Sequence, residues 1–196
     1  MPIIALSNLK GGTGKTTSSF CLAEALRRRG QTVEVYDLDP QGSATEWAYA
    51  AEENDTPLNF SVTVANARTV VKAPRSNHWV IVDCPPGATA QIDAAIATAD
   101  VVIVPVSPSP IDVNRMWKTL DLAAPEKSIV LVCRAVPNTR LGRFIVEALE
   151  EDDEAQVFRT VIPQREAIKA LFGTALADDL YGYENVAHEL MERMQK

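Results

Sequence analysis

The chain has 196 residues, enough for one domain with a substantial core. Hydrophobic residues make up 46% and charged residues 23%, an ordinary globular balance. The net charge of −7 argues against DNA binding by bulk charge, so any such contact needs a local basic patch.

In chain order, short apolar strands alternate with helical stretches. Ile3 to Leu6 reads as a strand, and a glycine-rich turn then opens a helix over Thr16 to Arg29. Thr32 to Asp37 is the next strand, and Ser43 to Ala51 a helix with Ser43 as its N-cap. Leu58 to Val64 alternates as a strand, and Asn66 to Ala73 is a short helix. Trp79 to Asp83 and Val101 to Val106 read as buried strands, separated by an alanine-rich helix over Thr89 to Ala99. A Ser107-Pro108-Ser109-Pro110 loop leads to a helix over Asp112 to Ala123. A strand over Ser128 to Cys133, a helix over Thr139 to Glu150 and a short strand over Val157 to Ile162 follow. Helices near Gln164 to Phe172 and Tyr183 to Met194 complete the chain. The pattern predicts a single α/β domain over residues 1–196, its mostly parallel sheet flanked by helices. The acidic run Glu150 to Glu154 reads as a solvated helix end.

No apolar run has the length of a membrane span, and the N-terminus has no secretory pattern. Starting almost at the first strand, the chain is expected to lack an N-terminal DNA-reading module. Cys21, Cys84 and Cys133 have no metal-ligand spacing and sit in apolar surroundings. They read as buried small hydrophobes of a reduced, cytosolic protein.

Chemistry concentrates at three strand ends. Leu9-Lys10-Gly11-Gly12-Thr13-Gly14-Lys15-Thr16-Thr17 follows the first strand and starts the first helix. In that context backbone N–H groups and the helix N-terminus cradle phosphates. Lys15 is placed to reach the β- and γ-phosphates and the Thr16 hydroxyl to bind Mg²⁺. A dinucleotide loop is excluded, because Gly12 and Gly14 are followed by Thr17 where Gly or Ala is required. Asp83 closes the apolar run Val80 to Val82 and is a candidate Mg²⁺ residue, with Pro85, Pro86 and Gly87 stiffening and opening the turn beyond it. Gly87 would let a backbone N–H approach the γ-phosphate. Asp37 and Asp39, two apart on extended chain, would face one metal–water site, with Pro40 restraining Asp39.

The loop departs from the general phosphate-loop pattern: Leu9 holds the first glycine's place, and a second lysine, Lys10, precedes Gly11-Gly12. Lys10 to Thr17 resembles the deviant Walker A motif of the ParA/MinD family of ATPases, and Asp83-Cys84-Pro85-Pro86-Gly87 and Asp37-Leu38-Asp39-Pro40-Gln41 resemble that family's next two motifs. The resemblance implies a P-loop fold that binds ATP and Mg²⁺ through Lys10, Gly11, Gly12, Thr13, Gly14, Lys15, Thr16 and Thr17. Thr16, Asp37 and Asp83 would form the metal shell, and Lys10, Lys15 and Asp39 would be the catalytic residues. Asp39 would position the hydrolytic water, and Lys10 would reach across an ATP-dependent homodimer onto the partner's nucleotide. The segment Val104 to Asp112 looks like the loop near that dimer interface. Arg134 and Pro163, after two later strands, would border the adenine.

By the same resemblance the protein is similar to short partition ATPases that bind DNA without sequence preference and answer to a centromere-binding ParB-type partner. Arg140, Arg143, Arg159, Arg165 and Lys169 lie where relatives carry a basic patch, interspersed with Glu147, Glu150, Glu151, Asp152, Asp153, Glu154 and Glu166. The last helix, with Glu184, Glu189 and Glu192, suits core packing better than a MinD-like membrane anchor. A cytoplasmic, nucleoid-associated partition ATPase is expected. Alternatives are a nucleotide-gated switch for a protein cargo and an ATP-dependent carboxylate-activating synthetase. No cysteine arrangement supports a shared iron–sulfur cluster.

Overall fold

Successive residues of a strand face opposite sides of its sheet, and here both sides are apolar. Ile4, Leu6, Val35, Ile81, Ile103 and Leu131 enter one core cluster. Ile3, Ala5, Tyr36, Val80, Val82, Val102, Val104 and Val130 enter the other. Such a sheet needs helices on both faces, which parallel strands with helical crossovers supply.

The computed structural model describes residues 2–73, 78–87, 89–136, 139–152 and 154–195. Its strands are β1 (Ile3–Leu6), β2 (Val33–Asp37), β3 (Ser61–Val64), β4 (Trp79–Asp83), β5 (Val101–Val106) and β6 (Ser128–Val132). They form one six-stranded sheet in the order β3-β2-β4-β1-β5-β6, and each strand pair is parallel. The helices α1 (Lys15–Arg28), α2 (Ser43–Glu53) and α8 (Tyr183–Met194) cover one face, contributing Phe20, Leu22, Leu26, Trp47, Val186 and Leu190 to its core. The other face is covered by α3 (Ala67–Val71), α4 (Ala90–Thr98), α5 (Pro110–Ala123) and α6 (Arg140–Glu150), through Val70, Ile92, Ile96, Met116, Leu120 and Ile145. The short α7 (Glu166–Lys169) lies between α6 and α8 in the chain.

This topology fixes where a ligand can enter. β1 and β4 are neighbours, with Leu6 in register with Asp83, yet the helices that follow them, α1 and α4, pack on opposite faces. The connections therefore diverge beyond the carboxyl ends of β1 and β4 and leave a crevice, the usual ligand position in an open parallel sheet.

The α/β reading of the sequence matches this architecture, and four local expectations change. The N-cap of α2 is Gly42, in left-handed geometry at φ 71°, and Ser43 is the first helical residue; a glycine adopts that conformation without a Cβ penalty. β3 starts only at Ser61, because Leu58 and Phe60 turn to pack against the core. The strand expected over Val157 to Ile162 is reduced to isolated bridges, Val130 with Val157 and Ala135 with Pro163. It does follow the β6 edge, through Phe158 N–H to Val130 O (2.9 Å) and Ile162 N–H to Val132 O (2.8 Å), but not as a continuous ladder. The helix expected over Gln164 to Phe172 is only α7, which gives way to a turn ending at Gly173, at φ 73°. Of the acidic run, Asp153 lies outside the described residues.

Candidate nucleotide-binding site

The loop between β1 and α1 gets its shape from two left-handed glycines, Gly12 (φ 73°) and Gly14 (φ 95°), the latter capping α1. The first helical bond, Ser18 N–H to Gly14 O at 2.8 Å, leaves the first-turn N–H groups to an external acceptor. Lys15 is buried, and its ammonium turns back to donate to the carbonyls of Lys10 (3.3 Å) and Asn8 (3.5 Å). Burial lowers its pKa from the ordinary lysine value, opposed by the fields of Asp83, Cys84 and Asp39.

Asp83, at the end of β4, lies opposite this loop. Thr16 Oγ1 donates to Asp83 Oδ2 at 2.7 Å, and Ser19 Oγ to Asp83 Oδ1 at 3.2 Å. The Asp83 carboxyl is 1% exposed, and its pKa is raised to about 7, chiefly by burial. The Thr16 bond works against that rise, nearby Asp37 adds to it, and Lys15 and Ser19 oppose it. Asp37 is in register with Asp83 on β2. Its carboxylate is already engaged, accepting Thr45 Oγ1–H (2.6 Å), Thr45 N–H (2.8 Å) and Asp39 N–H (3.2 Å). Asp37 therefore anchors the turn into α2. Asp39 is partly exposed, and its carboxylate accepts Gln41 N–H at 2.9 Å. The two aspartates thus differ in surroundings instead of sharing one.

Two groups expected to meet nucleotide have partners within the chain. Gly87 N–H donates to Leu9 O at 3.0 Å, which ties the β4 turn to the loop. Lys10 forms an ion pair within its own chain, with the buried carboxylate of Asp112. Asp112 is in turn held by Ser109, the N-cap of α5, whose hydroxyl donates to Asp112 Oδ2 at 2.8 Å.

Sequence reasoning missed several supports of this loop. Asn8, fully buried, accepts Lys10 N–H at 2.9 Å and donates to Pro105 O at 2.8 Å. Thr119 accepts Leu9 N–H at 3.3 Å. Asn8 was detectable as an Asx turn two residues before Lys10. Ser19, Thr45 and Thr119 carry no sequence signal, because only the tertiary fold brings them in.

The residues present fit a bound nucleotide. Thr13 is 1% exposed, and its hydroxyl has no partner within the protein; such an orphan costs about 1–3 kcal/mol unless an acceptor arrives. Among the described residues no cluster of three or more His, Cys, Asp or Glu could hold a metal ion. For Mg²⁺, which takes one or two protein ligands and completes its shell with water and phosphate oxygens, the paired Thr16 hydroxyl and Asp83 carboxyl offer oxygen donors. From Gly14, Thr16 and Thr17 a cavity of about 540 Å³ extends past Ser43 and Trp47 to Arg134, Pro163 and Phe172.

The CobQ/CobB/MinD/ParA nucleotide binding domain family matches residues 4–175. The chain belongs to this family. It is 29% identical to the protein ParA of Rhizobium radiobacter, over 88% of this chain and 82% of that one. It is 33% identical to the maintenance of carboxysome distribution protein A of Halothiobacillus neapolitanus, over 61% of this chain and 56% of that one. Its fold is similar to a plasmid partition protein of Borrelia burgdorferi bound to AMPPNP, with a TM-score of 0.77 and 18% identity, over 98% of this chain and 99% of that one.

In this ParA/MinD-type chain the remaining expected residues fall into separate places. Arg134 and Pro163 do meet at the cavity, brought together by the bridge between Ala135 and Pro163; Arg134 holds a left-handed φ of 57° there. The basic residues named as candidates for DNA contact have different surroundings. Arg165 and Lys169 line the cavity mouth, and Lys169 pairs with Glu166 at 2.7 Å. Arg159 pairs with Glu189 and Glu192 of α8, each at 3.6 Å. Arg140 and Arg143 sit on the first turns of α6, exposed. α8 buries Val186, Ala187 and Leu190, so it packs against the core as expected. No helix among the described residues is long and apolar enough to cross a membrane, and all three cysteines are free and buried.

Proposed function

We propose that the chain is a ParA-type partition ATPase that binds MgATP at the β1–β4 crevice, dimerises around it and hydrolyses it slowly. The observation that carries this reading is the buried Lys15 beside the Thr16–Asp83 pair at the mouth of a nucleotide-sized cavity. Lys15 exchanges its two long carbonyl contacts for phosphate oxygens, a stronger charge-assisted pairing. The Thr13 hydroxyl and the α1 N-terminus donate to the same anion. Thr16, with Asp83 and Asp37 behind it, would hold Mg²⁺, which neutralises phosphate charge when bound. Asp39, partly exposed, orients the attacking water, and Asp37 fixes the turn that presents it.

For Lys10 to serve a partner's nucleotide it must leave Asp112. That exchange becomes favourable when a triphosphate of higher charge faces it in a water-excluded interface. The dimer would bind DNA without sequence preference and respond to a ParB-type partner. Two measurements test this: light scattering with MgATP, and a DNA mobility shift at low and moderate salt. Wild type should dimerise with ATP and shift DNA only in that state, and Lys10→Ala should remain monomeric. ATP-dependent dimers of Lys10→Ala would defeat the cross-subunit role. A second reading, positioning of a protein cargo, is favoured by the similarity to the carboxysome distribution protein. It predicts ATP-dependent dimers with no DNA shift at either salt concentration.

A further inference from the structure

The cavity that begins at the phosphate loop ends on an aromatic side chain that the motifs do not foreshadow. Phe172 is 52% exposed, and it lines the cavity with Ile168 and Trp47. Its ring lies 5.6 Å from that of Trp47, tilted by 51°. Trp47 is itself buried and stacked on Phe20, with centroids 4.5 Å apart. Phe172 therefore ends a row of rings that runs from the core to the cavity surface.

The turn that carries Phe172 is held in place. Asn54 Nδ2 donates to Gly173 O at 2.8 Å, and Trp47 Nε1 to Thr174 O at 3.1 Å. Gly173 occupies left-handed backbone at φ 73°, and a Cβ there would meet Ala50 Cβ at 3.0 Å. An exposed ring on a turn pinned at two successive carbonyls is preorganised, so a flat ligand could cover it with little ordering cost. The same cavity is lined by apolar Ile162 and Pro163 and by the cationic Arg134.

We propose that Phe172 is the stacking face for the nucleobase, with Ile168 beside it and Trp47 behind it. The inference rests on the nucleotide reading above and assigns the base end of that site to the turn after α7. Stacking is sequence-tolerant because every base has a π face. Phe172 should thus set affinity for the nucleoside part while leaving the phosphates to the loop at Gly11 to Thr17.

The test compares equilibrium binding of MgATP and of magnesium tripolyphosphate, which has no base, by calorimetry. Phe172→Ala should weaken MgATP about tenfold or more and leave tripolyphosphate within about twofold. Phe172→Leu, which keeps an apolar side chain against Trp47 without a π face, should lose MgATP affinity in the same sense, and Phe172→Tyr should restore it. Unchanged MgATP affinity in Phe172→Ala, or an equal loss for both ligands, would overturn the assignment. In those cases wild-type binding of tripolyphosphate would leave the phosphate loop standing. Failure of wild type to bind either ligand would remove the nucleotide reading itself, and the stacking role with it.

Discussion

Around the phosphate loop, side chains from distant parts of the chain converge on a few buried carboxylates. Thr16 and Ser19 donate to Asp83, Thr45 donates to Asp37, and Lys10 pairs with Asp112. Beyond β6 the construction is different. The backbone there follows the sheet edge through isolated bridges, and Glu189 of α8 holds it from outside. That carboxylate accepts Thr160 Oγ1–H (2.6 Å), Arg159 N–H (2.9 Å) and Thr160 N–H (3.1 Å). One region is organised by buried charge aimed at a ligand, the other by a carboxylate that replaces a missing strand partner. Substitutions in the first should change what the protein binds, and those in the second how firmly it folds.

The largest expected effect is at Lys15. Lys15→Ala removes the buried cation and should weaken MgATP binding by about 100-fold or more, because a charge-assisted pairing is strongest in a dry site. Calorimetric titration checks this, and unchanged affinity would dissolve the distinction between the regions. Asp39→Ala should bind MgATP with near wild-type affinity and hydrolyse it about 100-fold more slowly, the usual scale for removing a positioned acid–base group. Wild-type turnover would take Asp39 out of the mechanism and leave its bond to Gln41 as its whole role.

A smaller effect should appear in the nucleotide-free protein as a pH dependence. The Asp83 carboxyl has its pKa raised to about 7 in the folded chain, against about 3.9 when unfolded. Between those values the folded state holds a proton that the unfolded state has released. Stability should then fall as pH rises from about 4 to about 7 and level off above, by a few kcal/mol at most. Asp83→Asn should flatten that slope in urea titrations at pH 5 and pH 8. A wild-type slope retained in the variant would place the titrating group elsewhere.

The same contrast explains what the residues alone could disclose. A phosphate loop is local, so Lys10 to Thr17 specify it by backbone freedom and charge within one turn. Asp83 is legible because it ends an apolar run, and Asp37 because it ends a strand two residues before Asp39. Their roles then separate for a reason no spacing reveals: Thr45, from the next helix, occupies the Asp37 carboxylate. Asp112 looks like an ordinary helix-start acid until the fold sets it against Lys10. The basic residues of the last third differ in the same way: Arg159 meets carboxylates of α8, and Arg165 lines the cavity.

Within the β6 edge the two partners of one contact should behave unequally. Glu189→Ala strips three donors of their acceptor and should cost about 1–3 kcal/mol, because the partly buried Thr160 hydroxyl and amide are left unpaired. Arg159 meets Glu189 and Glu192 from solvent, with its side chain 80% exposed. Exposed pairs of that kind contribute little, so Arg159→Ala should shift stability by no more than about 0.5 kcal/mol. Its guanidinium lies beside two carboxylates, so its removal should change the salt dependence of any DNA binding less than removal of Arg140 does. Arg140→Ala, which removes an exposed cation from the first turn of α6, should lower the log–log salt slope by about one phosphate contact if that helix faces DNA. A slope that falls for Arg159→Ala and holds for Arg140→Ala would move the DNA-facing surface from α6 to the α8 side of the molecule.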